Sequence, residues 1–501
     1  MYAILIGSVS SASKETTDLL SALRFYGVEE ILHKDSVESL TLDGVHVSHK
    51  DVLILTVSPE INNSALRRLT LSSKRVPARM TVWQDKSQQR FIAARVSPNN
   101  LRQSWLARTE ESLDEILRTM HQDDSSIGCY TIQDFASTDA LRLGGSWAKC
   151  TIRKYFTKHA SARGRNKLLD EISFYKSLPS SLASHYLELL YSRDNQTGVS
   201  LALEYREDPN LRDLLMNFEV TPHEAAEMLR KVIESEYLEA FDKYRLPTPE
   251  NYISNFHYHR VWVRLAMCLD IDPGLTGLIH ASRILINGKV FPNIPAMLYK
   301  LEQCPEATAR LDPGSVSPHI HGDTHLENIL YDVDKDHFYL VDPRGYPVCD
   351  IFYDLGKLQH SYRGGYDLLH EGRHEVTWAV SEDKETATIN YKFTAPVLWE
   401  RYQELAKLMG PIVQDVLGPR EQDIQLKALF NEAMHFPSIT PFHIHHGPTP
   451  NVTVPFYAVG VQTLAQVLAM LDIDVQSCFD LRDEASQRLE TRGREPWMFG
   501  D

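Results

Sequence analysis

The chain has little cysteine, no long apolar run and no excess of positive charge, and each shortage removes a class of protein. Six cysteines occur among 501 residues, at 129, 150, 268, 304, 349 and 478. None forms a C-x-x-C pair and no histidine stands at zinc-finger spacing, so neither a disulfide framework nor a structural zinc site is expected. No segment reaches the roughly 18 consecutive apolar residues that a membrane-spanning helix needs. The opening MYAILIGSVSS is too short in its apolar part for a signal peptide and has no basic residue before it, so a cytoplasmic location is expected. Against 52 Lys and Arg stand 67 Asp and Glu, a net charge of -15, which argues against DNA or RNA as a partner. Low-complexity tracts are also missing, and 43% apolar with 24% charged residues is ordinary for folded domains. At about 100–200 residues per domain, the length allows two to four folding units.

The hydrophobic pattern divides the chain into an N-terminal α/β domain and an α+β region of two lobes. Residues 1–120 combine short apolar strands (YAILIG at 2–7, DVLILTVS at 51–58, TVW at 81–83, FIAARV at 91–96) with amphipathic segments such as SLDEILRTM at 112–120. Their first loop, Gly7-Ser8-Val9-Ser10-Ser11, lacks both G-x-G-x-x-G and G-x-x-x-x-G-K-[ST]. It reads as a polar turn whose serines cap the next helix. HQDDSSIG at 121–128 reads as a linker. Residues 129–207 form a small β-rich lobe around one helix: a strand at SWAKCTIRKYF (146–156), a helix at GRNKLLDEISFYKSLP (164–179) stopped by Pro179, and a strand at GVSLALEYRE (198–207). Residues 208–501 are mostly helical, with an interruption of short strands and turns near 313–350.

That interruption carries the chemistry. Ile320-His321-Gly322-Asp323-Thr324-His325-Leu326-Glu327-Asn328 places an Asp and an Asn on one loop before an apolar strand, and HFYLVDPRG puts Asp342 at the end of a second apolar strand. If the two strands form a hairpin, three oxygen-bearing side chains converge. Phosphoryl transfer needs such a set, because Mg²⁺ takes hard oxygen ligands and bridges nucleotide phosphates while another carboxylate faces the acceptor hydroxyl. Asn328 and Asp342 suit the metal, and Asp323 suits the base. His325 reads as a hydrogen-bonded structural residue. His443, His445 and His446 alternate in PFHIHHGPTP, but with no carboxylate or Cys at ligand spacing they read as surface or packing residues.

The pattern HGDxHxxN followed by an Asp after an apolar strand resembles the aminoglycoside phosphotransferase and choline kinase family of small-molecule kinases, over roughly residues 130–475. The resemblance implies a protein-kinase-like fold with a small β-rich lobe and a large helical lobe, and an ATP- (or GTP-) dependent transfer to a hydroxyl of a small molecule with Mg. It implies that His321 braces the catalytic loop, that Asp323 is the catalytic base and that Asn328 and Asp342 bind the metal. It also implies a small-lobe lysine for the phosphates, held by a glutamate of the neighbouring helix. Lys149, Lys154 and Lys158 compete for that place. A single strand over 146–156 puts Lys154 on a face with Ala148, Cys150 and Ile152, which selects Lys154, paired with Glu171. The hinge would fall near Leu203-Glu204-Tyr205, where the backbone of Glu204 and Tyr205 would meet the adenine. One departure stands out: only Gly144-Gly145 precede Lys154, with no glycine-rich phosphate loop.

Downstream, DIFYDLGKL at 350–358 resembles the segment that packs below the metal aspartate, and Asp354 reads as a brace for the loop. Related phosphotransferase domains in bacterial capsule and cell-envelope loci carry similar FYKSLP and DLGKL stretches, which points to a sugar or polyol acceptor. Tyr362, Arg363 and Tyr366 are candidates for its pocket. Two other readings stay open: a pseudokinase scaffold, and a bifunctional enzyme whose N-terminal domain is nucleotidyltransferase-like. The acceptor's identity and the oligomeric state are not legible.

Overall fold

Short apolar runs become strands here, and they sort into separate sheets. The computed structural model describes the backbone of the strands within residues 2–156, and backbone and side chains of residues 157–160, 164–195, 198–206, 208–444 and 452–497. Contacts divide the chain into two compact units, residues 1–139 with 213–221, and residues 140–212 with 222–501.

In the first unit, β1 (Tyr2–Ile6), β2 (Glu30–Lys34), β3 (Val52–Thr56), β4 (Met80–Asp85), β5 (Phe91–Val96) and β6 (Gly128–Ile132) form one sheet in the order β2-β1-β3-β5-β4-β6. Strand β1 pairs parallel with β2 and β3, whereas β5 runs antiparallel to β3 and β4. The polar turn at Gly7–Ser11, the segment 112–120 and most of the 121–128 linker lie outside the described residues. Residues 128–132 pair parallel with β4 of this sheet, with Val82 opposite Cys129, and not with the second sheet, where the hydrophobic pattern assigns everything from 129 onward. A five-residue strand carries no mark of which sheet it will join, because both faces and both edges accept the same residue types.

The second unit holds an antiparallel sheet in the order β10-β11-β9-β8-β7, formed by β7 (Leu141–Leu143), β8 (Ser146–Thr151), β9 (Tyr155–Ala160), β10 (Leu189–Asn195) and β11 (Gly198–Glu204). The run expected as one strand over 146–156 is two strands, β8 and β9, that pair antiparallel with Thr151 opposite Tyr155. Helix α1 (Arg165–Ser177) follows β9. Leu168, Glu171, Ile172 and Tyr175 recur at helical spacing and form its buried face, which carries Glu171 inward. The helix stops where Leu178 turns to extended backbone before Pro179 (φ -57°, ψ 127°).

The remainder is largely helical, with a core in which α3 (Ile351–Tyr362) packs on α4 (Ile424–Ile439) and α4 on α5 (Thr453–Met470). A helix at His259–Ile271, α2, packs on α4 as well. Gly356 lets α3 approach α4 closely, since a Cβ there would run into the backbone of Asn431 and Glu432. Helix α5 is long and apolar enough to cross a membrane, but 78% of it is buried inside this unit, as a core helix is. A four-stranded sheet formed by Arg283–Ile286, Lys289–Pro292, His374–Val380 and Thr386–Phe393 also interrupts the helices, which the hydrophobic pattern did not reveal. The hairpin of β12 (Ile329–Asp332) and β13 (His337–Leu340) pairs Ile329 with Leu340 and carries the loop of residues 321–328 at its open end.

Candidate active site

The open end of that hairpin sets the first distance. One step beyond the Ile329–Leu340 pair, the Val341 N–H donates to the Asn328 carbonyl at 3.0 Å, so Asn328 and Asp342 leave the two strands side by side. The Asn328 amide nitrogen donates to the Asp323 carbonyl at 2.9 Å, which leaves Oδ1 as the side-chain atom for another partner. Asp342 adopts the left-handed region (φ 63°), a strained conformation for a non-glycine residue that costs of order 1–3 kcal/mol and recurs at functional sites.

What holds Asp342 there is Lys158. On β9 the exposure alternates, with His159 outward and Lys158 and Ala160 buried. Lys158 Nζ donates to Glu171 Oε1 at 2.6 Å and to Asp342 Oδ1 in a short ion pair. Glu171 therefore has a lysine partner, but it is Lys158 and not Lys154, which lies outside the described residues. The period-two count across 146–156 fails because the strand ends at Thr151 and a new one begins at Tyr155. Burial opposes the charge on Lys158, yet Asp342 and Glu171 together push it above the ordinary lysine value. Burial also opposes the Asp342 carboxylate, and Lys158 with Lys167 overcomes it and holds the group well below the usual carboxylate range. Glu171 is raised by its burial, with Lys158 working against that.

Asp323 has the inverse surroundings. Arg344 donates to its Oδ2 from Nε at 2.9 Å, and Lys357 Nζ lies 2.9 Å from Oδ1. Burial would raise this carboxyl, but Arg344 and then Lys357 hold it well below its usual range. Neither cation was singled out from the sequence. Lys357 did leave a signal, since it sits in an otherwise apolar turn of α3 where 351–358 are all buried, and a lysine survives there only with a partner.

The loop itself is braced from two sides. The buried His321 ring donates from Nε2 to the Val341 carbonyl at 2.9 Å and accepts the Asp323 N–H on Nδ1 at 3.1 Å, which requires the neutral ring. Burial pushes its pKa down to about 4, in keeping with that. From α3, Asp354 accepts the N–H groups of Gly322 at 3.0 Å and Thr324 at 3.3 Å, and burial pushes its carboxyl up to about 7. Gly345 (φ 66°) presses on α1, where a Cβ would collide with the Asp170 carbonyl, so the loop carrying Asp342 and Arg344 is keyed to the helix carrying Glu171.

The remaining candidates make other contacts. The Glu204 N–H at the end of β11 donates to the Glu188 carbonyl at 2.9 Å, and its carboxylate pairs with Arg206 at 3.0 Å. That N–H is taken, and the Glu204 carboxylate is turned to Arg206 rather than to Lys158. Arg363 is held by Glu432 at 2.6 Å and Tyr362 is buried. Tyr366 stacks on His360, 4.2 Å between ring centroids, and meets His325 edge-on at 5.9 Å. His443 packs against Tyr366 and Phe456, while His445 and His446 lie outside the described residues.

For Mg²⁺ the donor chemistry fits: a carboxylate at Asp342 and an amide oxygen at Asn328 are hard oxygen ligands, and this ion habitually takes one or two protein groups plus phosphate oxygens. Among the described residues no group of three or more His, Cys, Asp and Glu is arranged to hold a metal by itself.

No family model matches the chain, and no curated protein matches its sequence. By structure the chain is similar to small-molecule phosphotransferases. An aminoglycoside phosphotransferase of Streptomyces rimosus is 14% identical, over 59% of this chain and 98% of its own, with a TM-score of 0.32. A GDP complex of an aminoglycoside 2'-phosphotransferase IIIa variant is 12% identical, over 67% of this chain and 92% of its own, with a TM-score of 0.36. A Haemophilus somnus protein described as a fructosamine-3-kinase is 12% identical, over 66% of this chain and 90% of its own, with a TM-score of 0.35.

Proposed function

We propose that the chain is an ATP- (or GTP-) dependent phosphotransferase, acting in the cytoplasm, that moves the γ-phosphate onto a hydroxyl of a small polar molecule, a sugar or polyol. The observation that carries this reading is the meeting of Lys158 from β9, Glu171 from α1 and Asp342 from the end of β13, beside a loop that presents Asp323. A strand, the helix that follows it and a loop 184 residues further on deliver a buried lysine between two carboxylates, a costly arrangement with no packing advantage over apolar residues of the same volume.

In this reading Lys158 holds nucleotide phosphates, and Glu171 fixes its position. Asn328 and Asp342 would hold Mg²⁺, which supplies charge neutralisation on the phosphates when bound. Asp323 orients the acceptor hydroxyl and takes its proton as the bond to phosphorus forms. Paired with Arg344 and Lys357, Asp323 is a weak base, which suits a loose transition state in which little proton transfer is needed early and positioning does most of the work. His321 and Asp354 keep the loop in place.

The test is calorimetric titration of Mg²⁺ with ATP, and separately with GTP, into the full chain and into Asp342→Ala. Metal-dependent binding that fades in the variant is expected. Absence of binding for both nucleotides would replace the enzyme by a scaffold.

A further inference from the structure

Asp323 has to receive an acceptor hydroxyl, yet both of its oxygens are already in use. Oδ1 is buried and lies 2.9 Å from Lys357 Nζ, on a side chain only 7% exposed. A hydroxyl entering from solvent is therefore received at Oδ2. There Arg344 Nε donates at 2.9 Å, and Nη2 stands at the same distance from the same atom. One carboxylate oxygen offers about two lone-pair positions, and this guanidinium fills both. A hydroxyl can donate to Oδ2 only if Arg344 gives up one of them.

The side chain that must yield is free to do so. With 33% of its side chain exposed, Arg344 is the outer of the two cations on Asp323. Its Nη1 has no hydrogen bond among the described residues and is not one of the buried polar atoms. The backbone, by contrast, is pinned: the Arg344 N–H donates to the His321 carbonyl at 2.8 Å, and His321 Nε2 donates to the Val341 carbonyl at 2.9 Å. Movement is left to the guanidinium. Arg344 follows two residues after Asp342, the partner of Lys158, and itself holds Asp323, so it stands where the two clusters meet.

A guanidinium held by Nε alone presents Nη1 and Nη2 as two parallel donors, the arrangement that takes two oxygens of one phosphoryl group. A transferring phosphoryl group spreads its charge over three equatorial oxygens. Asp323 divides a single charge between two cations, so the guanidinium gains a better partner when that group arrives and has none before.

We propose that Arg344 is a catalytic residue with two positions: in the empty site it caps Asp323 Oδ2, and during transfer it keeps Nε on that oxygen while Nη1 and Nη2 hold two oxygens of the transferring phosphoryl group. This rests on the phosphotransferase reading and supplies its phosphoryl-binding donor on the acceptor side. In the step itself the bond from the acceptor oxygen to the γ-phosphorus forms and the bond from that phosphorus to the leaving nucleoside diphosphate breaks. The hydroxyl proton passes to the lone pair of Oδ2 that Nη2 has vacated.

The test uses the full chain with Mg²⁺ and ADP, or GDP if only the guanine nucleotide binds, and adds aluminium chloride with sodium fluoride, so that a planar fluoroaluminate stands in for the transferring group. Calorimetry of the parent chain is expected to show the diphosphate bound tenfold or more tighter with fluoroaluminate than without. In Arg344→Gln, affinity for Mg²⁺ with the diphosphate alone should stay within a few-fold of the parent, and the gain from fluoroaluminate should vanish. Arg344→Lys keeps the charge without the two-donor edge and should retain only part of the gain. Far-UV circular dichroism and thermal melting establish that each variant is folded, and Arg344→Lys carries the test if Arg344→Gln is not. Equal losses with and without fluoroaluminate mark a structural role and overturn the assignment. A gain undiminished in both variants, or a parent chain that binds the diphosphate and shows no gain, also overturns it while the kinase reading stands. A parent chain that binds neither nucleotide removes the kinase reading and this one with it.

Discussion

The two halves of the candidate site are electrostatic opposites. In ion pairs Lys158 serves two carboxylates, Glu171 and Asp342, whereas the one carboxylate of Asp323 serves two cations, Arg344 and Lys357. Both clusters are buried enough for an unbalanced charge to be expensive. On the proposed reading, a divalent ion at Asp342 would add positive charge to the Lys158 side. On the same reading, a transferring phosphoryl group would add negative charge to the Asp323 side.

The sharpest way to separate the halves is to neutralise one and leave the other. Asp323→Asn removes the proton acceptor but no group of the Lys158 cluster. Phosphoryl transfer, measured as ADP release, should fall by about 10²–10⁴-fold, the usual worth of a positioned base. Binding of Mg²⁺ with ATP should stay within a few-fold of the parent. A variant that loses nucleotide affinity as severely as activity would show that the halves are not separate.

Lys158→Met attacks the other half, and its first effect is on folding. Glu171 and Asp342 would be left facing each other without a cation, and removing one partner of a buried pair costs roughly 3–5 kcal/mol. Unfolding in urea should show that loss, and adding Glu171→Gln should recover part of it, because the orphaned carboxylate goes too. If the double variant is no more stable than the single one, the Lys158–Glu171 pair at 2.6 Å is not what makes the lysine expensive to lose.

Acid and alkali should act on the loop between the halves with opposite signs. His321 has a folded pKa near 4 against an ordinary 6.5, so its contribution is fully present above pH 6.5 and is lost as pH falls toward 4. That shift corresponds to roughly 3 kcal/mol. Asp354 is the reverse: its folded pKa is raised from 3.8 to about 7, so its contribution is fully present below pH 3.8 and is lost as pH rises through 7. Stability measured from pH 4 to 8 should lose part of its acid limb in His321→Gln and part of its alkaline limb in Asp354→Asn. An acid limb unchanged in His321→Gln would mean that the ring is not held neutral by the loop.

How far the sequence could be read follows from how local each feature is. His321, Asp323 and Asn328 sit within one short loop, and the two apolar strands after it have only one hairpin available, so Asp342 could be placed beside them. Glu171 was legible because the apolar face of α1 has a clean helical period. Lys158 was not, because the count along 146–156 assumed an unbroken strand, whereas the strand ends at Thr151 and Lys158 stands on the next one, which begins at Tyr155. Arg344 carries no local mark at all, since its partner Asp323 lies on another loop that meets it only after the helical core has packed. The same is true of β6, whose choice of sheet depends on which edge is left open.

The smallest effect expected concerns the glycine between the halves. Gly322 adopts φ 79°, and a Cβ there would stand 3.0 Å from the Arg344 Cβ and 3.1 Å from the Tyr346 ring. Ala in the left-handed region costs of order 1 kcal/mol, and neither neighbour can retreat far: Arg344 is tied to Asp323, and the Tyr346 hydroxyl lies 3.4 Å from that of Tyr353. Gly322→Ala should therefore destabilise by about 1–2 kcal/mol and also lower transfer several-fold, because the strain is relieved by moving Arg344 off the carboxylate. Nucleotide affinity should not change, since Lys158 and Asp342 are untouched. Equal losses in nucleotide affinity and transfer would place Gly322 on the Lys158 side and erase the boundary between the two clusters.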